Sequence, residues 1–132
     1  MAKATANLDW LEKAQQTLNE DPAFRKLGSA DVVLGTDVGD EARLVTFEAF
    51  EVTDTSVVQR AGLRDAEIVI QMSPRNWNAW LRRRAKGNGP TLLSLDLEDG
   101  VVSSSSPLGK LKLERYNLTL QAFIDEGGRI AA

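Results

Sequence analysis

The sequence contains no cysteine and no histidine. Their absence removes the thiol nucleophile, the imidazole general base, the Cys/His zinc site and the disulfide framework in one step. Covalent chemistry would have to run on carboxylates, Lys, Arg, Tyr or hydroxyls, and the composition leans toward binding rather than reaction. Excess basic charge is missing too. With 16 Lys and Arg against 19 Asp and Glu the net charge is −3, opposite to the basic footprint of a dedicated nucleic-acid binder. No apolar run approaches the roughly 18 residues of a membrane span. Met1 to Asn7 carries one lysine with no apolar core behind it, which argues against a signal peptide and makes the cytoplasm the expected compartment. Without a secretion signal, the glycosylation sequon Asn117-Leu118-Thr119 is read as coincidence.

What is present is a chain of 132 residues, 42% hydrophobic, long enough to close a core without disulfides or metal. It shows no repeat or linker, so one domain spanning 1–132 is expected. Leu8, Leu11, Ala14 and Leu18 fall at helical spacing after a capping Asn7 and predict a helix over 8–18. Asp21-Pro22 offers a cap and a proline at the first helical position, predicting a short helix over 22–27. From Ala30 the period changes to two. Strands are expected at 31–34, 43–48 and 50–53, joined by short turns that force an antiparallel meander. After a loop at Ala61-Gly62, residues 66–72 alternate as a fourth strand.

Ser73-Pro74 is the clearest helix start in the chain. Trp77, Trp80, Leu81 and Arg84 follow at i, i+3, i+4 and i+7, and Gly87 ends the helix. Gly87-Asn88-Gly89 follows a helix rather than a strand, so it is a cap and loop, not a phosphate-binding turn. The stretch 90–106 admits either alternating strands with a hairpin at Asp99-Gly100 or a short helix at Leu92-Leu93, before a polar loop at 103–106. Lys110 to Glu114 alternates and predicts a fifth strand, with Leu111 and Leu113 inward and Lys110, Lys112 and Arg115 outward. Tyr116, Leu120, Phe123 and Ile124 form the apolar side of a closing helix, expected to stop at Gly127-Gly128.

The order is helix, three-strand meander, crossing loop, strand, helix, strand, helix. Three stretches carry a likeness: Val38-Gly39-Asp40-Glu41 through Val45-Thr46-Phe47-Glu48, then Ala66 to Ser73, then Pro107-Leu108-Gly109-Lys110-Leu111-Lys112-Leu113. In that order they resemble the type-2 sterol carrier protein family over nearly the whole chain. The resemblance implies a single α+β domain, with a five-stranded, mostly antiparallel curved sheet and helices wrapped around an apolar lipid tunnel. The segment 87–106 is longer than the family's usual connection. No Ser-Lys-Leu ending is present, so peroxisomal targeting is not implied.

Two readings of the Trp77/Trp80/Leu81 stripe follow. It is either a core-facing helix with Arg82, Arg83 and Lys86 solvated, the commoner case, or a helix at a tunnel mouth that meets acyl chains and a membrane surface. Arg84 lies on the apolar side and is the expected contact for a headgroup. Phe47, Phe50, Met72, Leu120 and Phe123, ordinary core content taken singly, complete the expected ligand wall. The function so read is non-enzymatic carriage of an elongated hydrophobic ligand (fatty acid, acyl thioester, phospholipid or sterol-like lipid), without cofactor, metal or nucleic acid. The alternatives are a small isomerase or hydrolase using Asp96 or Glu48 in an apolar pocket, and a module that forms homodimers through a strand edge or the tryptophan helix.

Overall fold

The computed structural model describes residues 10–39, 41–95, 101–104 and 106–131; Asn7, Leu8, Asp96 and the turn Asp99-Gly100 lie outside them. Helix α1 (Trp10–Asn19) buries Trp10, Leu11, Ala14 and Leu18, the face its apolar spacing requires. Helix α2 (Pro22–Arg25) begins as its sequence dictates, the Asp21 carboxylate accepting the Ala23 N–H at 2.9 Å.

Strands β1 (Val32–Asp37), β2 (Ala42–Glu48) and β3 (Glu51–Val58) form the antiparallel meander. A 3₁₀ turn (Arg60–Asp65) then carries the chain back to β4 (Ile68–Gln71), which pairs parallel to β1. Helix α3 (Pro74–Ala85) is capped by Ser73, whose hydroxyl accepts the Asn76 N–H at 3.2 Å. A short α4 (Leu92–Leu95) precedes β5 (Val102–Ser104), antiparallel to β4, and α5 (Pro107–Ala131) closes the chain. The sheet order is β3-β2-β1-β4-β5, mixed, with β1 and β4 its one parallel pair among the described residues.

Register explains where the core sits. Leu34 pairs with Val45 on one side and Ile68 on the other; Val32 meets Phe47, Phe47 meets Val52, and Ile70 meets Val102. All are buried, so one sheet face is continuously apolar. Against it lie the apolar faces of α1 and α5, with Phe123 edge-on to Phe47 (5.5 Å between ring centroids, 82° between planes) and tilted against Trp10 (5.7 Å). Trp77 donates its indole N–H to the Asp37 carbonyl (2.9 Å) and Trp80 to that of Pro90 (2.7 Å). The Trp10 indole N–H has no acceptor among the described residues.

Three expectations are corrected. Residues 110–114 are not the fifth strand; they lie inside α5, with Leu113 fully buried and Leu111 exposed. Leu111 and Leu113 satisfy a period of two over five residues. Over the longer window Leu113, Leu120 and Phe123-Ile124 repeat at helical spacing, and the longer pattern prevails because it buries more area. Ser106-Pro107 starts this helix as Ser73-Pro74 starts α3, the Ser106 hydroxyl accepting the Gly109 N–H at 3.3 Å. The fifth strand is instead Val102–Ser104, within the stretch expected to be loop from Ser103 onward; it pairs with β4, and Val102 is its buried residue. Gly127-Gly128 does not stop α5, which runs on to Ala131; both glycines stand where the helix packs too closely against Trp10 and α3 to admit a side chain. It kinks once, at Tyr116 (φ −107°, ψ 15°).

Candidate functional site

The expected wall residues fall into two groups. Phe47, Trp77, Trp80, Leu81, Leu120 and Phe123 are all buried, and Met72 packs against them part-buried. They fill the space between sheet and helices with one another. The tryptophans of α3 therefore face the core, and Arg82 and Arg83 face solvent. Phe50 stands apart. It occupies the two-residue turn between β2 and β3, 43% exposed, with the Arg25 guanidinium 5.7 Å from its ring centre. Glu48 is exposed at the end of β2, so it lacks the apolar pocket that acid–base chemistry would need. Asp96 lies outside the described residues.

Arg84 is where an expected site residue meets a cavity. A groove of about 480 Å³ opens beside α2, within the size range of small-molecule sites. Leu18 from the end of α1, Phe24 from α2, Leu27, Ala85 from α3 and Ala122 from α5 give it an apolar lining. Its polar members are Arg84, Asp21, Asp125, Glu126 and Arg129. Helix spacing on α5 brings Ala122, Asp125, Glu126 and Arg129 to one side, and the capped start at Asp21-Pro22 sets Phe24 across from them.

The groove charges are already engaged. Arg84 Nε and Nη2 donate to the two oxygens of Asp125 at 2.9 and 3.0 Å, a bidentate fork, and Nη1 donates to the Gly89 carbonyl at 3.2 Å. Gln121 Nε2 donates to Asp125 Oδ1 (3.0 Å), and Gln121 Oε1 accepts the Leu92 N–H (2.7 Å). Arg129 is paired with Glu126. Hydrogen bonding to Asp125 holds the Arg84 pKa above the ordinary arginine value, against desolvation, which lowers it. The raised value keeps this guanidinium charged, and its contribution to stability present, at any pH below the unfolded-arginine range; it is lost only above that range. With three carboxylates against two guanidiniums, the groove does not attract an anion.

Asp125→Asn breaks this fork by setting an amide NH₂ against the guanidinium. Because the pair is part-exposed, the expected cost is about 1–2 kcal/mol, read as a lower urea midpoint with unchanged slope. Phe24, Ala122 and Asp125 are the site residues that sequence reading missed. Asp125 is 41 positions from Arg84, and no local pattern links them. The available signal was the capped turn at Asp21-Pro22, which starts a helix too short to bury Phe24 by itself.

Among the described residues no group of three or more acidic side chains is placed to hold a metal ion, and no helix is long and apolar enough to cross a membrane. No family model matches the sequence, and no curated protein matches it. The architecture does match a solved structure. A conserved hypothetical protein of Thermus thermophilus, suggested to be a sterol carrier protein, superposes with a TM-score of 0.60 at 18% identity, over 96% of this chain and 88% of that one. The UbiJ-SCP2 ubiquinone synthesis protein aligns over 92% of this chain and 89% of its own, with a TM-score of 0.45 and 17% identity. The chain thus shares its fold with the Thermus thermophilus protein: an α+β domain, a five-stranded mixed sheet with helices packed on it.

Proposed function

We propose that this protein binds and carries an elongated hydrophobic ligand, without catalysis, and that the groove between α2 and α5 receives it. The observation that carries the reading is an apolar groove of about 480 Å³ with a polar rim, on a fold similar to that of a suggested sterol carrier protein. Affinity would come from apolar area removed from water, about 25 cal/mol per Å², and orientation from the rim.

The rim also narrows the ligand class. A carboxylate headgroup would have to displace Asp125 from Arg84 while facing Asp21 and Glu126, so the fork discriminates against fatty acids. A hydroxyl, carbonyl or zwitterionic head can take the remaining donors and acceptors without that exchange. Among the lipids compatible with the fold, sterol-like and zwitterionic ones are preferred.

Native mass spectrometry of gently purified protein, with fluorescence titration of a fluorescent sterol and a fluorescent fatty acid, tests this. The expected result is a bound neutral or zwitterionic lipid and a sterol affinity about tenfold or more above that of the fatty acid, a difference of about 1.4 kcal/mol. Ala122→Trp, which fills the groove, is expected to weaken binding by a similar factor. Tighter binding of the fatty acid sinks the headgroup assignment, and absence of both co-purified lipid and titratable binding sinks the carrier reading.

A further inference from the structure

We infer that the outer face of α3 is a docking surface for an acidic protein, placed beside the groove. Residues 68–95 carry five cations and not one Asp or Glu, which leaves 11 basic against 19 acidic residues, a net of −8, in the rest of the chain. The excess positive charge is gathered on one helix. Arg75, Arg82, Arg83 and Lys86 are exposed along α3 and at its C-cap, while Trp77, Trp80 and Leu81 are buried behind them. At i, i+7 and i+11, Arg75, Arg82 and Lys86 fall within an arc of about 40°, opposite the buried stripe.

Neither ion pairing nor helix stability accounts for this face. None of the four cations has an ion-pair partner among the described residues, whereas Arg25, Arg43, Arg84, Lys112 and Arg129 are all paired. Cations in the last turn complement the helix dipole, which explains Arg82 and Arg83. Arg75 is in the first turn, where the dipole opposes it and no acidic residue offsets it. Its place in line with Arg82 and Lys86 therefore serves the surface and not the helix.

Charge complementarity selects an acidic partner, and the surroundings select a protein. At 1.5 Å per residue the row from Arg75 to Lys86 is about 16 Å long. An extended polyanion, whether nucleic acid or an anionic bilayer, would run past that row onto a chain whose remaining net charge is −8. A protein can confine its carboxylates to a matching patch. The face also lacks what the other two would use. Between Arg75 and Lys86 the large apolar residues are Trp77, Trp80 and Leu81, all buried, so nothing there stacks on a base or enters an acyl layer. Arg84 and Ala85 of the same helix line the groove, so a docked partner stands at its edge. Docking does not depend on the carrier reading; only its purpose, passing ligand to or from the groove, rests on it.

Fluorescence anisotropy with a labelled oligoglutamate, as a stand-in for an acidic protein patch, and with a single-stranded oligonucleotide of equal charge tests this. Three proteins are compared after circular dichroism confirms the fold: wild type, Arg75→Gln/Arg82→Gln/Lys86→Gln, and Lys13→Gln/Lys26→Gln, which removes two exposed cations elsewhere. Wild type is expected to bind the oligoglutamate more tightly than the oligonucleotide, and more weakly as salt is raised. The triple variant is expected to lose about tenfold or more, and the double variant about twofold or less. The triple variant is also expected to keep the wild-type affinity for the fluorescent sterol, since none of its three positions lines the groove. Failure of wild type to bind the oligoglutamate, or an equal loss in the two variants, overturns docking on α3 even if the sterol still binds. Tighter binding of the oligonucleotide, or sedimentation of wild type with phosphatidylserine vesicles that the triple variant loses, overturns the choice of a protein. Light scattering that finds a dimer which the triple variant converts to monomer overturns it as well, by making a second copy the occupant.

Discussion

Phe123→Ala is expected to cost about 3–5 kcal/mol of stability, a large part of the roughly 5–15 kcal/mol that holds a domain of this size. Phe123 is fully buried between Phe47 and Trp10, in contact with both the sheet layer and α1. Truncation removes the ring's transfer energy and leaves a cavity whose walls are fixed by strand register on one side and by helix packing on the other. Urea denaturation reads the loss as a lower midpoint. The same variant separates two roles for the buried aromatic residues. As rigid core they give the full cost and no gain in ligand affinity. As the wall of a site that yields to ligand, they would give a cost below about 1 kcal/mol and tighter binding of the fluorescent sterol.

Gly127→Ala and Gly128→Ala are the second pair with a large expected effect, because local and tertiary terms have opposite signs. In an isolated helix each change would stabilise by about 1 kcal/mol. In this fold a Cβ at Gly127 would lie 2.3 Å from the Trp10 ring, and one at Gly128 would lie 2.5 Å from the Leu81 carbonyl oxygen. The Leu81 carbonyl is backbone of α3 and cannot move aside without shifting the helix; the Trp10 ring is confined by Phe123. Each alanine is therefore expected to destabilise by about 2 kcal/mol or more, with Gly128→Ala the costlier, by thermal or urea unfolding. A stabilised Gly128→Ala variant would mean that α3 and α5 do not approach this closely.

These glycines also show why part of the fold was hidden. Paired glycines near a C-terminus are the ordinary signal for a helix end, and by local rules the stop was the correct expectation. What keeps the helix going is the backbone of α3, some forty positions earlier. The segment 110–114 is similar: its alternation is real, but a strand there would bury only Leu111 and Leu113, whereas the helix places Leu113 in register with Leu120 and Phe123. Val102–Ser104 was legible only at its first residue, where a hairpin at Asp99-Gly100 was one of two open readings, and the rest was hidden for the reverse reason. Two of its three residues are serine, and only its edge position beside β4 makes a strand of it.

The site divides in the same way. Arg84 was marked by its place on the apolar side of α3, and it does reach the groove. In the structure its guanidinium is forked onto the chain's own Asp125. Phe47, Trp77, Trp80, Leu120 and Phe123 were recognised as apolar and inward, but whether inward means core or ligand wall depends on what stands opposite. In this structure it is one another.

By itself the sequence determined the capped starts of α2 and α3, the meander forced by short turns, the sterol-carrier-like order, and, through the missing cysteine and histidine, the absence of thiol and imidazole chemistry. Those follow from interactions within a few residues or from composition, which a linear reading contains. Only the tertiary structure decided that α5 continues past its glycines, that Arg84 is clamped by Asp125, and that residues of α1, α2, α3 and α5 meet in one groove. Each of these depends on atoms brought together from distant positions, where close packing and charge pairing outweigh local propensity.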